Sequence, residues 1–89
     1  MRSINVRIVN KLGLHARAAA KLVALASEFE ARIWLVRGEK RIDATSIMAV
    51  MMLAAAEGTE LVLESDGPDE ERAMEDISHL VAQRFGEDE

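Results

Sequence analysis

The clearest structural signal in the chain is the segment SINVRIVNKLGLHARAAAKLVALASEF, residues 3–29, in which a strand pattern is followed by a helix pattern. Residues 3–9 alternate apolar and polar side chains, which predicts a strand with one buried face. Asn10 and Gly13 are turn formers that interrupt this alternation. From Ala16 onward the apolar side chains recur at helical spacing, so an amphipathic helix is predicted after a short loop. Its apolar stripe consists of Ala19, Leu22, Val23, Ala26 and Phe29.

Three further strands are predicted downstream of this unit. Residues 32–37 are rich in β-branched and aromatic side chains, which favour a strand. They are expected to pair with residues 40–43 through a two-residue loop that contains glycine. Residues 60–65 alternate again and predict the fourth strand.

A second helix is predicted over residues 47–56, with Thr45 or Ser46 as its N-cap residue and Gly58 near its C-terminal end. This segment is more apolar than one buried helix face requires. We expect its core-facing residues to be Ile47, Val50, Met51 and Ala54, and its partly exposed residues to be Met48 and Met52.

A third helix is predicted to begin with Pro68 at its first position and to end at Gly86. Acidic residues crowd its first turn, where they complement the positive end of the helix dipole. Its apolar stripe is formed by Ala73, Met74, Ile77, Leu80 and Val81.

The resulting order is β-α-β-β-α-β-α over a single domain, residues 1–89. It predicts an α/β (α+β) fold, an open-faced β-sandwich in which three helices cover one face of a four-stranded antiparallel sheet.

Composition and charge exclude several classes of function. The longest weakly polar run, residues 47–56, is far shorter than the roughly 20 residues that a membrane span needs. We therefore expect a cytoplasmic protein without membrane insertion. Three aromatic residues and a net charge of −5 disfavour a nucleic-acid-binding sheet. Two histidines 64 positions apart and no cysteine predict neither a metal site nor a cofactor.

The net charge conceals an uneven distribution. Residues 1–45 carry nine Lys and Arg against four Asp and Glu, whereas residues 46–89 carry two against twelve. The basic half contains the loop that ends at His15, so a positive rim is expected around that residue. The acidic excess, including the tail of residues 87–89, is expected to be mostly solvated surface.

His15 closes the glycine-containing loop and lies directly before the first helix. Unpaired N–H groups at a helix start, together with the helix dipole, bind anions such as phosphate. Arg17 adds a guanidinium whose geometry suits phosphate oxygens. The positive field favours the neutral imidazole, the form that acts as a nucleophile. A phosphoryl acceptor and a merely exposed histidine in a helix-capping loop both remain open at this point.

Two motifs resemble the HPr family, the histidine-containing phosphocarriers of the bacterial phosphoenolpyruvate-dependent phosphotransferase system. NKLGLHAR, residues 10–17, is similar to the family's active-site motif, and SIMAVMML, residues 46–53, is similar to its regulatory serine region. The resemblance implies a carrier rather than an enzyme, one that receives a phosphoryl group from enzyme I on Nδ1 of His15 and passes it to EIIA proteins or domains. The alternative is a small ferredoxin-like module that binds a ligand or a protein without phosphoryl transfer.

The resemblance also implies roles for other residues. Phosphate binding is expected at Ala16, Arg17 and Ala18, where Ala18 replaces a proline that is usual in the family. Ser46 is expected either to be only a helix N-cap or also to be a regulatory site for an HPr kinase/phosphorylase. The partner-docking residues of an expected monomer are Ala20, Lys21, Ile47, Met48, Met51 and Met52. The sugar-transport branch and the nitrogen-related NPr branch both fit the sequence.

Overall fold

The order of elements matches the sequence prediction in a computed structural model that describes residues 1–89. The strands are β1 (Arg2–Arg7), β2 (Arg32–Arg37), β3 (Lys40–Asp43) and β4 (Glu60–Asp66). The helices are α1 (Ala16–Ala26), α2 (Ile47–Met52) and α3 (Glu70–Ala82), and a 3₁₀ turn (Arg84–Gly86) follows α3.

The four strands form one antiparallel sheet in the order β1-β4-β2-β3. β4 lies in the centre because it pairs with β1 on one side and with β2 on the other. Alternation along β4 buries Leu61, Leu63 and Ser65 on the helix side. The hydroxyl of Ser65 donates to the carbonyl of Glu70 at 2.9 Å, which satisfies this buried polar group.

The core lies between this sheet and the helices. Twenty buried apolar residues form one cluster, to which every helix and every long strand contributes. Small side chains on α1, namely Ala18, Ala19 and Ala26, are fully or almost fully buried and let the helix approach the sheet closely. The open-faced architecture predicted from the sequence is confirmed.

The prediction for α2 was wrong at its C-terminal end. The helix stops at Met52 because Ala54 adopts a left-handed conformation, with φ of 51°. Gly58 lies in the turn before β4 and does not cap α2. Only Val50 of α2 is buried. Ile47 and Met51, which were predicted to face the core, are 40% and 43% exposed.

Both ends of α3 also differ from the prediction. Pro68 precedes the helix, and Asp69 is the N-cap residue. The carboxylate of Asp69 accepts the N–H groups of Glu30 and Ala31 at 3.0 and 2.8 Å, so it ties the start of α3 to the chain before β2. The helix ends at Ala82 rather than at Gly86, because Arg84 and Phe85 both adopt left-handed conformations, with φ of 58° and 55°.

Candidate functional site

The loop between β1 and α1 is fixed by contacts with the segment after α2. Gly13 has φ of 67°, and a Cβ atom there would lie 2.5 Å from the carbonyl oxygen of Ala55, so only glycine fits. The N–H of Leu14 donates to the same carbonyl at 2.9 Å. The side chain of Asn10 donates from Nδ2 to the carbonyl of Gly13 at 2.8 Å. These contacts hold the loop so that His15 lies at the start of α1.

His15 is the N-cap residue of α1, and its backbone is extended. Its carbonyl accepts the N–H of Ala19 at 2.8 Å, but its side chain makes no capping hydrogen bond. The N–H groups of Ala16, Arg17 and Ala18 have no hydrogen-bond partner within the chain. Three unpaired donors and the positive end of the helix dipole therefore lie directly after His15, an arrangement that binds anions.

Arg17 extends the anion site beyond the backbone. Its side chain is exposed and makes no ion pair within the chain, so its guanidinium is available to a ligand. Ala16 is exposed, whereas the methyl group of Ala18 is fully buried, so Ala18 can contribute only its backbone N–H.

The acidic tail is not simply solvated, as the sequence had suggested, but folds back onto the site. Oε2 of Glu87 lies 2.5 Å from Nε2 of His15, across 72 positions of sequence. Nδ2 of Asn10 donates to the other carboxylate oxygen of Glu87 at 3.1 Å. The tail is held again two residues further on, where the N–H of Lys11 donates to the carbonyl of Glu89 at 2.5 Å.

The 3₁₀ turn anchors this tail. Phe85 is fully buried in the core and adopts a positive φ of 55°. Its carbonyl accepts a hydrogen bond from Nζ of Lys21 on α1 at 2.6 Å. A predicted docking residue, Lys21, is therefore partly engaged within the chain.

Hydrogen bonding fixes the charge state of Glu87. The hydrogen bond with His15 is the main cause that lowers the pKa of the Glu87 carboxyl, and the hydrogen bond from Asn10 acts in the same direction. Partial desolvation opposes them. Glu87 is therefore ionised near neutral pH. Nδ1 of His15 has no hydrogen-bond partner in the chain, so the two ring nitrogens face different surroundings.

The site is an open depression of about 790 Å³ in which both signs of charge meet. It is lined by Lys11, Leu12, His15, Ala16, Arg17, Glu87, Asp88 and Glu89. An open depression of mixed charge suits a reacting group on another protein better than an enclosed small substrate.

The predicted docking residues are all exposed. Met48 and Met52 on α2 are 70% and 71% exposed. Leu12 in the His15 loop, which was not among the predicted docking residues, is 68% exposed. α2 packs against α1, on which Ala20 and Lys21 face solvent. The structure thus brings the two predicted docking segments onto neighbouring helices.

Ser46 is the N-cap residue of α2. Its Oγ accepts the N–H of Ala49 at 3.3 Å. Thr45, the other predicted cap, instead donates from both its N–H and its hydroxyl to the carboxylate of Asp43. Ser46 is half-buried, and exposed Ile47 and Met48 follow it directly.

No helix of the chain is both long enough and apolar enough to cross a membrane. The side chains also form no cluster of three or more His, Asp or Glu that could hold a metal ion.

Comparison with known proteins places this geometry in a family. Residues 2–83 match the family model described as "PTS HPr component phosphorylation site". The chain is 55% identical over 82 residues to the phosphocarrier protein HPr of Cupriavidus necator, an alignment that covers 92% of each protein. It is 48% identical over 82 residues to the phosphocarrier protein NPr of Shewanella violacea, covering 92% of this chain and 90% of that protein.

Solved structures agree with the sequence relatives. The crystal structure of HPr-C-His from Thermoanaerobacter tengcongensis superposes over the full length of both chains, with a TM-score of 0.96 and 39% identity. The HPr of Bacillus anthracis superposes over 88% of this chain and 93% of its own, with a TM-score of 0.85 and 35% identity.

A histidine at the start of a helix in this fold defines a class of small protein that carries a phosphoryl group and does not itself catalyse a reaction. The chain belongs to the HPr family and is a phosphocarrier protein of the phosphotransferase system. Family membership implies enzyme I and EIIA proteins as the partner classes.

Sequence reasoning missed three residues that shape the site, namely Asn10 as a bridge, Phe85 as an anchor and Glu87 as a contact of His15. Phe85 offered a signal, because it is a large apolar residue just beyond the stripe of α3. Nothing local marked Glu87, since it is one of three acidic residues in the tail.

Proposed function

We propose that His15 accepts the phosphoryl group from enzyme I and passes it to an EIIA protein or domain. One observation carries this proposal: a half-exposed histidine whose Nδ1 is unpaired lies directly before three unpaired N–H groups and an unpaired arginine. A nucleophile and the donors for the charge that it receives are thus adjacent in the chain.

The chemistry requires position and charge stabilisation rather than a pocket. The lone pair of Nδ1 approaches phosphorus in line with the departing group. The N–H groups of Ala16, Arg17 and Ala18 and the guanidinium of Arg17 stabilise the charge on the equatorial oxygens. The depression is open, so both donor and acceptor proteins can reach the same ring nitrogen in turn.

We also propose a docking surface next to this site, formed by Ala20, Lys21, Ile47, Met48, Met51 and Met52. All six are exposed on neighbouring helices. Methionine side chains are flexible and polarisable, and they suit a surface that must fit more than one partner. The proposed working unit is the whole chain, residues 1–89, acting as a cytoplasmic monomer.

Ser46 is proposed as a regulatory site for an HPr kinase/phosphorylase. Its hydroxyl lies beside the exposed Ile47 and Met48, so a phosphate there would place negative charge at the docking surface. A purely structural cap is the competing interpretation. Ser46→Asp should slow phosphoryl transfer at low partner concentration, whereas Ser46→Ala should only lower stability by about 1 kcal/mol. Equal transfer rates for the two variants would leave the cap as the only role.

The phosphoryl-acceptor role is tested with phosphoenolpyruvate and enzyme I. The protein should acquire an acid-labile phosphate, and His15→Ala should abolish it. His79→Ala is the matched control, because it removes the other histidine, which is exposed on α3. Phosphate acceptance by His15→Ala at the normal rate would disprove the proposal. Transfer to sugar-type and nitrogen-type EIIA proteins, measured side by side, would assign the branch.

A further inference from the structure

The contact between Glu87 and His15 is supported on several sides. Asn10 is fully buried, and its amide donates both to the His15 loop and to the Glu87 carboxylate. Phe85, two residues before Glu87, is fully buried and fixes where the tail begins. The carboxylate thus reaches the imidazole from an anchored backbone. Glu87 lies beyond residues 2–83, the part of the chain that the family model matches.

We propose that Glu87 is a positioning residue for His15: its carboxylate holds the proton of the neutral imidazole on Nε2 and leaves the lone pair on Nδ1. The inference rests on the proposed role of His15 as phosphoryl acceptor. A neutral imidazole has one N–H and one lone pair, and a carboxylate can only accept. The opposite tautomer would set a lone pair of Nε2 against Oε2 of Glu87 at 2.5 Å, so the contact selects the Nε2–H form.

The same carboxylate stabilises the phosphorylated ring. As the Nδ1 lone pair forms the bond to phosphorus, the bond from phosphorus to the donor atom breaks and its electron pair stays with the donor. The ring keeps its Nε2 proton and gains a positive charge, which faces the Glu87 carboxylate in a charge-assisted hydrogen bond. When the group moves on, the electron pair of the N–P bond returns to Nδ1.

Other charged groups surround this pair without replacing it. Lys21 from α1 acts on Glu87 through its charge, and Lys11 in the loop pairs with Glu89 at 3.6 Å. Arg17 and Asp88 line the same depression. None of these five residues contacts a ring nitrogen of His15, so Glu87 is the group that can distinguish Nε2 from Nδ1.

Ring-nitrogen NMR tests the proposal without any phosphoryl transfer. The ¹⁵N shifts of the two ring nitrogens of His15 report which of them holds the proton of the neutral imidazole. The unaltered protein should be largely the Nε2–H tautomer. Glu87→Ala should lower the ratio of Nε2–H to Nδ1–H by about tenfold, because a hydrogen bond to a charged acceptor is lost. Glu87→Gln should be intermediate, since its amide oxygen can still accept.

Asp88→Asn is the matched control, because it removes one tail charge that does not contact the ring. It should leave the tautomer ratio unchanged. A ratio in Glu87→Ala equal to that of the unaltered protein would overturn the positioning role.

Transfer assays separate this inference from the proposal on which it rests. With saturating phosphorylated enzyme I, Glu87→Ala should lower the single-turnover rate by about tenfold, mainly because the positively charged ring loses its charge-assisted hydrogen bond, with little change in the half-saturating concentration. If the unaltered protein accepts no phosphate while the ratio still depends on Glu87, the acceptor role fails and the positioning of the ring stands. If Glu87→Ala is phosphorylated at the normal rate, the contribution of Glu87 to transfer is refuted.

Discussion

At the scale of single residues, the two nitrogens of His15 have separate surroundings. Nε2 contacts a carboxylate that the sequence places 72 positions away, whereas Nδ1 is left without a partner. The donors for a phosphoryl group are local, because they come from the first turn of the helix that His15 begins. The sequence motif therefore indicates the side of His15 that we propose binds phosphate, and the tail supplies the contact on the other side of the ring.

The titration of Glu87 provides a residue-scale prediction. Because the hydrogen bond with His15 lowers the Glu87 pKa in the folded chain, its stabilising effect is present above the ordinary glutamate pKa. The effect is lost as pH falls through the lowered pKa. In His15→Ala the Glu87 pKa should rise toward its usual value, measured by ¹³C NMR of the carboxyl. The pKa of Asp69, lowered mainly by the N–H of Glu30, is the control and should not move. An unchanged Glu87 titration in His15→Ala would contradict the contact.

Ala18 offers a second test at this scale. Its N–H has no partner within the chain, so proline at this position removes no intrachain hydrogen bond. Ala18→Pro should raise the free energy of unfolding by about 0.4–1 kcal/mol by restricting the unfolded chain. Phosphate acceptance should persist, because the N–H groups of Ala16 and Arg17 remain. A loss of thermal stability would show that the backbone at Ala18 does not suit proline, and a large loss of transfer would assign its N–H an essential role.

At the scale of elements, periodicity predicted the strands closely and failed where a single backbone conformation intervened. β2 and β3 have the predicted bounds, because alternation and a hairpin loop are local signals. α2 is shorter than predicted because the segment after it turns back and packs against Gly13. This contact joins residues that are distant in the sequence, so periodicity cannot predict it. His15 and Arg17 could also be located from the sequence, because the motif that contains them is a local signal. The contact of Glu87 could not, since it depends on the burial of Phe85 at a positive φ.

The C-terminal end of α2 contains a strained position that can be relieved. Ala54 has φ of 51°, a conformation that costs a non-glycine residue roughly 1–2 kcal/mol. Ala54→Gly should remove that cost but enlarge the unfolded ensemble, for a net gain of about 0.5–1 kcal/mol in the free energy of unfolding. Denaturant titration measures the change. Ala56→Gly is the control, because Ala56 does not have a positive φ and should gain nothing. Equal effects of the two substitutions would argue against strain at Ala54.

At Gly13, in contrast, a substitution should destabilise the fold, because this residue packs the loop of His15 against the segment after α2. A Cβ atom at Gly13 would meet Ala55 and Ala56 backbone atoms at 2.5 and 2.9 Å. Gly13→Ala should therefore destabilise the fold by more than 1 kcal/mol and displace His15. Unfolding experiments measure the first effect, and the phosphate-acceptance rate measures the second. Gly38→Ala is the comparison, since Gly38 also has a positive φ but open space around it. If Gly13→Ala and Gly38→Ala had the same effects on stability and on phosphate acceptance, the close approach of Gly13 to Ala55 would not explain the need for glycine.

At the scale of the whole molecule, the charge distribution is less simple than a basic half facing an acidic half. The expected positive rim around His15 contains Lys11 and Arg17, but the acidic tail lies across it. Lys11 pairs with Glu89, and Lys21 is engaged with the 3₁₀ turn. The tail therefore reduces the positive field that incoming partners meet, even though the basic residues are placed where the sequence indicated.

We therefore expect the charges of the tail to influence how strongly the rate of partner association depends on salt. Asp88→Asn combined with Glu89→Gln removes two tail charges and spares Glu87. The double variant should associate a few times faster with an acidic partner surface at low salt, and the difference should vanish at high salt, where screening acts within a few ångströms. Stopped-flow mixing with a phosphorylated partner over a salt series measures the effect.

Removing two charges from α3, by Glu75→Gln and Asp76→Asn, is the matched control for this experiment. Both residues are exposed and lie outside the depression around His15, so their effect on association should be smaller, although the change in net charge is the same. If the tail and α3 variants gained equally, net charge alone would govern the encounter. A larger gain for the tail variant would show that the local field at His15 controls it, because the two proteins would differ only in where the charges were removed.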